Sequence, residues 1–161
     1  MRFRVYDKKE KKYVDSSDFY IDDSSNLFLN TEVYEEAKEK TLYTLETCYP
    51  DRYIVEYSTG FGDIFEGSRI NVPVRRSDGR RETNINHTDF FLEMEVMKMK
   101  NGTFELRKNK EQYEKLCEPM GKERVSQTVS YPCNIQELTH YCDFERVEII
   151  GTIHDGGNDG I

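Results

Sequence analysis

The sequence contains no tryptophan, only 4 prolines and no long apolar run. Because no apolar stretch approaches the roughly 18 residues of a membrane-spanning helix, we expect no membrane span. Charged residues follow Met1 almost at once, so we also expect no secretory signal peptide. The 11 tyrosines and 9 phenylalanines supply much of the apolar side-chain area instead, and the composition indicates one folded domain with a modest core.

Positive charge is scarce relative to negative charge. The 161 residues include 31 aspartates and glutamates against 23 lysines and arginines, which gives a formal net charge of −8. Binding of nucleic acid over the whole surface requires clustered basic residues and is therefore disfavoured, while a local basic patch stays open. An acidic surface is also consistent with a decoy that binds a host DNA-binding protein, or simply with a well-solvated protein.

The cysteines lack the spacing of a metal-binding site. No two of Cys48, Cys117, Cys133 and Cys142 form a Cys-x2-Cys pair, and His140 and Cys142 would point apart on a helix. We interpret the cysteines as free thiols, since the sequence context is cytosolic. A disulfide between Cys117 and Cys133, or between Cys133 and Cys142, is the alternative. We predict no bound metal and no cofactor.

Alternation of apolar and polar residues predicts a mainly β fold with minor α structure. The predicted strands are 2–6, 53–57, 69–74, 88–100, 103–107 and 144–153, and short runs at 19–21 and 27–29 predict a further hairpin. Asn101-Gly102, between two of these strands, is the strongest hairpin signal in the chain.

One longer helix is predicted over 31–48. Asn30 or Thr31 would cap its beginning, glutamates occupy its first turns, and Pro50 follows its end. Ala37 and the apolar residues at helical spacing after it would form a narrow buried stripe.

A helical insertion is predicted over 108–142. It would contain a short helix at 109–117 and a second one that opens with a capping box at Asn134 and Glu137. We therefore expect a single domain over 1–154, with 31–48 as a helical excursion, followed by a flexible, glycine-rich tail at 155–161.

Four glycines are interpreted as structural. Gly60, Gly62 and Gly67 do not form a phosphate loop, because no Gly-Lys-Ser/Thr triplet and no helix signal follow them. They suit a turn and a strand bulge instead, and Gly151 in the last predicted strand is grouped with them.

The predicted partner-binding site is an arginine cluster formed by Arg75, Arg76, Arg80 and Arg81. These residues flank Asp78-Gly79, a typical hairpin-turn pair. Guanidinium groups at one hairpin tip could contact phosphates or an acidic protein partner. A solvated turn, or an intersubunit salt bridge to this protein's own acidic surface, are the alternatives.

No catalytic residue is predicted. His87 and Asp89 are spaced to share one face of a strand, as an acid–base pair would. However, the sequence places no nucleophile beside them, and a solvent-facing loop histidine is the simpler interpretation.

Three stretches resemble the YopX-like proteins. RFRVYDKKEKKYV resembles their Phe-Arg-aromatic-Asp start, TGFGDIFEGSRI their Thr-Gly-Leu … Ile-Tyr-Glu-Gly-Asp-Ile-Val segment, and RVEIIGTIHD their Val-Glu-Val-Ile-Gly-Asn-Ile-Tyr-Glu finish. NGTFELR resembles a less constant segment between the last two. Together they cover about a third of the chain. Ser68 departs from the family, which has Asp at this position, and Thr152 and His154 also depart from its pattern.

The resemblance implies a small, mainly β protein encoded by bacteriophages and prophages, in a family without an agreed activity. Glu66-Gly67 and the isoleucine that follows also resemble the bend of SH3-like barrels, so an SH3-like or related open barrel is expected by analogy. We expect a non-enzymatic binding or assembly module in the cytoplasm of the bacterial host, in contact with a protein partner or with itself. Nucleic-acid binding through the arginines and the acidic decoy are the alternatives.

Overall fold

The computed structural model describes residues 2–48, 51–77, 90–118, 128–141 and 144–155. Over these residues the chain is mainly β with minor α structure, which confirms the predicted fold class. The described strands form three sheets, none of which closes on itself. By its internal contacts the chain divides into two compact units, 1–58 and 59–161. The single domain over 1–154 stays a prediction.

The described part of the first unit contains six strands. These are β1 (Phe3–Asp7), β2 (Lys12–Val14), β3 (Phe19–Ile21), β4 (Leu27–Glu35), β5 (Lys40–Thr47) and β6 (Tyr53–Tyr57). β1 lies between β2 and β6 in one antiparallel sheet, and β4 lies between β3 and β5 in the other. The predicted strands at 2–6 and 53–57 and the predicted hairpin of β3 and β4 are confirmed.

The central strand β1 alternates its side chains between the two faces of its sheet. Val5 is fully buried, and Val14 and Val55 occupy the paired positions on β2 and β6. On the opposite face Arg4 pairs in register with Glu56. One face of this sheet is therefore apolar at its centre, while the other holds a buried charge pair.

The region 31–48 contains a β-hairpin, so the predicted helix is wrong. β4 and β5 pair antiparallel over eight positions, from Phe28 opposite Thr47 to Glu35 opposite Lys40. Residues 28–35 and 40–47 all lie in these paired strands, so the predicted helical excursion does not form.

The residue types explain this difference. β-branched and aromatic residues suit strands, and this stretch is rich in them: Thr31, Val33, Tyr34, Thr41, Tyr43 and Thr44. A 3₁₀ turn at Glu36–Lys38 reverses the chain, and Glu39 closes the turn with a φ of 47°. Cross-strand pairing therefore outweighs the helical spacing that begins at Ala37.

The described part of the second unit contains five strands and two α-helices. These are β7 (Ser68–Ser77), β8 (Phe90–Lys98), β9 (Phe104–Lys108), α1 (Lys110–Cys117), β10 (Thr128–Ser130), α2 (Leu138–Tyr141) and β11 (Glu148–Thr152). β8 lies between β7 and β9, while β10 and β11 both pair with the other side of β7. The predicted hairpin at Asn101-Gly102 is confirmed, since the Met99 N–H donates to the Thr103 carbonyl at 2.8 Å.

Alternation along β7 and β8 builds the core of this unit. The buried side chains on these strands include Ile70, Val72, Val74, Leu92, Met94 and Val96. Positions in register share a face, so Ile70 and Met94 form one buried row across the two strands. Ile135 and Leu138, from the helical region, are fully buried as well.

The capping box predicted in the helical region is confirmed in a slightly shifted form. Asn134 Oδ1 accepts from the Glu137 N–H at 3.0 Å, while Glu137 Oε2 accepts from the Cys133 N–H at 2.6 Å rather than from Asn134. A 3₁₀ turn at Ile135–Glu137 runs directly into α2.

The predicted helix at 109–117 is also confirmed as α1. Asn109 caps it, because the Asn109 side chain accepts from the Gln112 N–H at 3.1 Å. The strand β10, within the predicted helical insertion, was not expected; it pairs with the end of β7.

Candidate interaction surface

β11 occupies an outer position in the sheet of the second unit. It pairs with β7 from Glu148 opposite Asn71 to Thr152 opposite Ser68, and no other described strand pairs with it. An outer strand leaves backbone N–H and C=O groups on its free side, where another chain can pair. We call residues 148–153 the β11 edge.

Three isoleucines on the β11 edge are about half exposed. The exposed fractions are 47% for Ile149, 40% for Ile150 and 45% for Ile153. Ile149 lies in register with the fully buried Ile70, so it continues a core row to the margin of the sheet, where the row is uncovered. Adjacent large apolar side chains at the surface are typical of interaction sites.

A β-bulge shapes the edge. The register between β11 and β7 shifts between Ile149 and Gly151, which makes Ile150 the extra residue. Gly151 has a φ of 154°, and a Cβ there would lie 2.6 Å from Asp155 Oδ2. A side chain at this position would therefore displace the Asp155 carboxylate.

The Asp155 carboxylate covers the backbone beyond the bulge. The Ile153 N–H donates to the Gly67 carbonyl of the sheet at 2.9 Å, so the neighbouring Thr152 N–H points to the free side. There it donates to Asp155 Oδ2. Only residues 148–150 of the edge therefore keep an open backbone.

Negative charge lies at both ends of the edge. Glu148 is exposed, and among the described residues no side chain forms an ion pair with it. The nearest guanidinium in the register, that of Arg69 opposite Gly151, donates to Glu93 Oε1 at 2.5 and 2.8 Å. With Asp155 at the other end, the edge is apolar in its centre and acidic at its margins.

The predicted arginine cluster lies only partly in the described structure. Arg75 and Arg76 are consecutive residues of β7, opposite Ser130 and Val129 of β10, rather than turn residues. Arg80 and Arg81 lie outside the described residues. A binding role for these four arginines, with nucleic acid or with protein, stays a prediction.

The four glycines interpreted as structural all have positive φ angles, at Gly60, Gly62, Gly67 and Gly151. Gly67 illustrates why, since its φ is 75° just before β7 begins. Its N–H donates to the Val96 carbonyl at 2.8 Å while its own carbonyl accepts from Ile153. This bend therefore ties β7, β8 and the β11 edge together.

The other predicted chemical groups come together in no site within the described residues. His87, Asp89 and Cys142 lie outside them, and Cys48, Cys117 and Cys133 are free thiols. In the ranges that the structure describes, no group of three or more His, Cys, Asp or Glu side chains could hold a metal ion.

Two buried carboxylates in the first unit were not anticipated. Asp7 is 2% exposed and pairs with the Arg52 guanidinium at 2.8 Å. This hydrogen bond, helped by two backbone N–H groups, lowers the pKa of Asp7 to about 2 although burial opposes it. Glu56 accepts from Arg4 Nε at 2.6 Å and from the Tyr13 hydroxyl at 2.9 Å. Because guanidinium partners hold both groups, we interpret them as structural.

Lys108 lies between two aromatic rings in the second unit. Its Nζ is 3.8 Å from the centroid of the Tyr113 ring and 4.3 Å from that of Tyr131, and it donates to the Tyr131 hydroxyl. That hydrogen bond raises the pKa of Lys108, so the amine stays protonated and is not a nucleophile at neutral pH. The contact joins β9 to α1.

A shallow cleft of about 150 Å³ lies beside Lys108, on the charged side of β7, β8 and β9. Two guanidinium–carboxylate pairs line it: Arg69 with Glu93, and Arg107 with Glu95 at 2.8 Å. The two pairs cancel and leave the Lys108 ammonium, which also lines the cleft and is held between two tyrosine rings, as the one uncompensated charge of this lining.

No protein-family model, characterised protein or solved structure matches this chain. The YopX-like resemblance therefore depends on its own three motifs and stays a prediction. Within the described residues, no helix has both the length and the apolar character needed to cross a membrane.

Sequence reasoning missed the β11 edge as a site. Its one local signal is the adjacent pair Ile149 and Ile150, because neighbouring residues of a strand point to opposite faces and only one can join a one-sided core. Which side stays uncovered depends on β7 and β8, which lie far away in the sequence.

Proposed function

We propose that this chain is a YopX-like protein of bacteriophage or prophage origin that acts in the bacterial cytoplasm as a non-enzymatic protein-binding module. The β11 edge is its binding surface. The observation that carries this proposal is the exposure of three isoleucines on the β11 edge, one of which, Ile149, continues a buried core row.

The polar groups of the described residues favour binding over catalysis. The buried carboxylates of Asp7 and Glu56 are held by guanidinium groups, and the Lys108 ammonium is held between two tyrosines. A general acid, a general base or a nucleophile needs a group that is free to exchange a proton or to attack. These contacts instead fix the polar side chains in place.

The apolar edge supplies a modest part of the binding free energy. Fully burying an isoleucine contributes about 1.5–3 kcal/mol, so completing the burial of three half-exposed ones contributes about 3 kcal/mol before the costs of association. Backbone pairing along 148–150 adds hydrogen bonds and fixes the direction of the partner. We therefore expect a partner that exchanges readily rather than an obligate subunit.

The resemblance to the YopX-like proteins supports the same surface. Two of the three resembling stretches, around Gly67 and around Gly151, lie against each other where β11 pairs with the beginning of β7. The stretches that suggest the family thus build the edge, rather than a cleft or a metal site.

A displayed random-peptide library tests this function. The library is selected on the wild-type protein, and the enriched peptides are then measured against Ile150→Lys and Ile153→Lys. We expect each substitution to weaken binding about tenfold or more, because a lysine replaces apolar contact area in the interface. Leu42→Lys is the matched control, since Leu42 on β5 is as exposed as Ile150, at 40%.

Peptides that bind the wild type and both isoleucine variants with equal affinity would contradict the proposal. So would peptides that lose affinity only for Leu42→Lys. Circular dichroism of each variant establishes that a loss of binding is not a loss of folding.

A further inference from the structure

We infer that the β11 edge binds an extended apolar segment of another protein that carries lysine or arginine beside its apolar residues. This inference rests on the proposed function, which supplies the binding surface, and adds the chemistry of the partner. It follows from the charges around the three isoleucines and from the small length of backbone that is open.

The charges of the edge favour a basic partner. Glu148 and Asp155 lie at its two ends, and no described side chain forms an ion pair with Glu148. Two described cations close to the edge in register or sequence are engaged elsewhere: Arg69 pairs with Glu93, and the Arg146 guanidinium lies 5.6 Å from the centroid of the Phe91 ring. A partner segment that carries cations beside its apolar residues would therefore cover the isoleucines and also neutralise the flanking carboxylates.

A second copy of the chain fits the edge less well. Because only residues 148–150 keep an open backbone, two antiparallel copies would pair around Ile149 and set Glu148 of each copy opposite Ile150 of the other. This register leaves both Glu148 carboxylates without a cation, whereas a basic segment would neutralise them. The net charge of −8 adds a general repulsion between copies.

The short open backbone makes side-chain chemistry decisive. Asp155 covers the Thr152 N–H, so strand pairing is limited to residues 148–150. Three residues offer few backbone hydrogen bonds, which any extended segment could form equally well. Discrimination between partners must then come from contacts with the isoleucines and with the flanking carboxylates.

Two synthetic peptides test this inference on the intact protein. Both carry the same alternating isoleucine and threonine core, flanked by lysines in one peptide and by glutamates in the other. Fluorescence anisotropy at low salt gives both dissociation constants. We expect the lysine-flanked peptide to bind at least about tenfold more tightly, and we expect added salt to reduce this difference.

Glu148→Lys is the charge-reversal variant, and Glu105→Lys is its matched control, because Glu105 is also an exposed strand glutamate without an ion pair to any described side chain. We expect Glu148→Lys to reduce or reverse the preference for the lysine-flanked peptide and Glu105→Lys to leave it unchanged. If Glu148→Lys kept the full preference for the lysine-flanked peptide, the Glu148 carboxylate would not be the group that selects a basic partner, and the inference would be overturned.

The remaining outcomes separate the inference from the proposed function. If both peptides bind equally and both are lost with Ile150→Lys, the partner chemistry is wrong while the binding surface stands. If sedimentation shows a dimer that Ile150→Lys dissociates, the occupant is a second copy and the inference is overturned. If neither peptide binds and the library selection also yields no binder that is sensitive to Ile150→Lys, the proposed function fails with it.

Discussion

Asp7 lies almost fully buried at the end of β1, where it meets both a guanidinium and the backbone of the following turn. Arg52 donates to both of its oxygens, and the Lys9 and Glu10 N–H groups donate at 2.9 and 3.2 Å. The carboxylate thus holds the turn after β1 and the residue just before β6 together. Sequence reasoning could not find this pair, because its members are 45 positions apart.

The ion pair predicts a pH dependence of stability. The pKa of Asp7 is about 2 in the folded protein against an ordinary 3.8, so its contribution is fully present above about pH 4 and is lost as the pH falls through about 2. We expect Asp7→Asn to lower the free energy of unfolding at neutral pH by about 1–2 kcal/mol, reduced by the solvent exposure of Arg52. Urea denaturation at a series of pH values measures the difference.

The difference in the free energy of unfolding between the wild type and Asp7→Asn should become smaller as the pH falls from about 4 to about 2. Asp23→Asn, at an exposed aspartate, should show no such narrowing. A gap of constant size across this pH range would contradict the assignment to Asp7.

The aromatic contacts of Lys108 give a second prediction at this scale. Lys108→Met keeps the length of the side chain but removes the ammonium, and we expect it to destabilise the fold by about 1 kcal/mol. Tyr131→Phe keeps the ring and loses only the hydroxyl acceptor, so a smaller loss is expected. A double-mutant cycle on chemical denaturation measures the coupling, and Lys110→Met, at an 85% exposed side chain, is the control. Equal losses in the Lys110 and Lys108 variants would contradict this interpretation.

Among the elements, the hairpin of β4 and β5 shows what sequence alone can and cannot decide. Short-range signals identified β3 and β6, the turn at Asn101-Gly102 and the cap at Asn134 correctly, because the residues that form them are neighbours in the chain. The stretch 31–48 carries both a helical spacing and strand-forming residue types. Pairing with a distant strand decides between them, and a local pattern contains no information about that partner.

Glycine substitutions in the turn between β4 and β5 test the hairpin directly. Glu39 has a φ of 47°, a conformation that costs a non-glycine residue about 1 kcal/mol, so we expect Glu39→Gly to stabilise the protein by about 0.5–1 kcal/mol. Ala37 is not among the residues with positive φ, and we expect Ala37→Gly to destabilise by a similar amount. In a helix both substitutions would be destabilising, so a loss of stability in Glu39→Gly would contradict the hairpin.

The candidate site was harder to predict than the fold. The arginines were conspicuous because they are close together in the sequence, yet Arg75 and Arg76 lie in a paired strand. The β11 edge becomes visible only when Ile149 is placed beside the buried Ile70 and no other described strand pairs with β11. Its exposure is a property of the assembled sheet and not of any short segment.

At the scale of the whole molecule, the open sheets and the net charge of −8 act together. Each of the two compact units has at least one outer strand without a described neighbour on its free side, β5 in the first and β11 in the second. A general negative charge keeps copies of the chain apart while attracting basic segments. We expect a partner to bind at the β11 edge rather than at β5, because the β11 edge combines three half-exposed isoleucines with the carboxylate of Glu148, which pairs with no described side chain.

Amide hydrogen exchange of the intact protein, with and without a peptide selected on the wild type, tests this claim most directly. We expect added protection at Ile149, whose N–H faces the free side of β11 because it lies opposite Ile70, and we expect Ile150→Lys to abolish it. The amides of β5 should exchange at the same rate in both states. Protection confined to β5, with the β11 edge unchanged, would contradict the account.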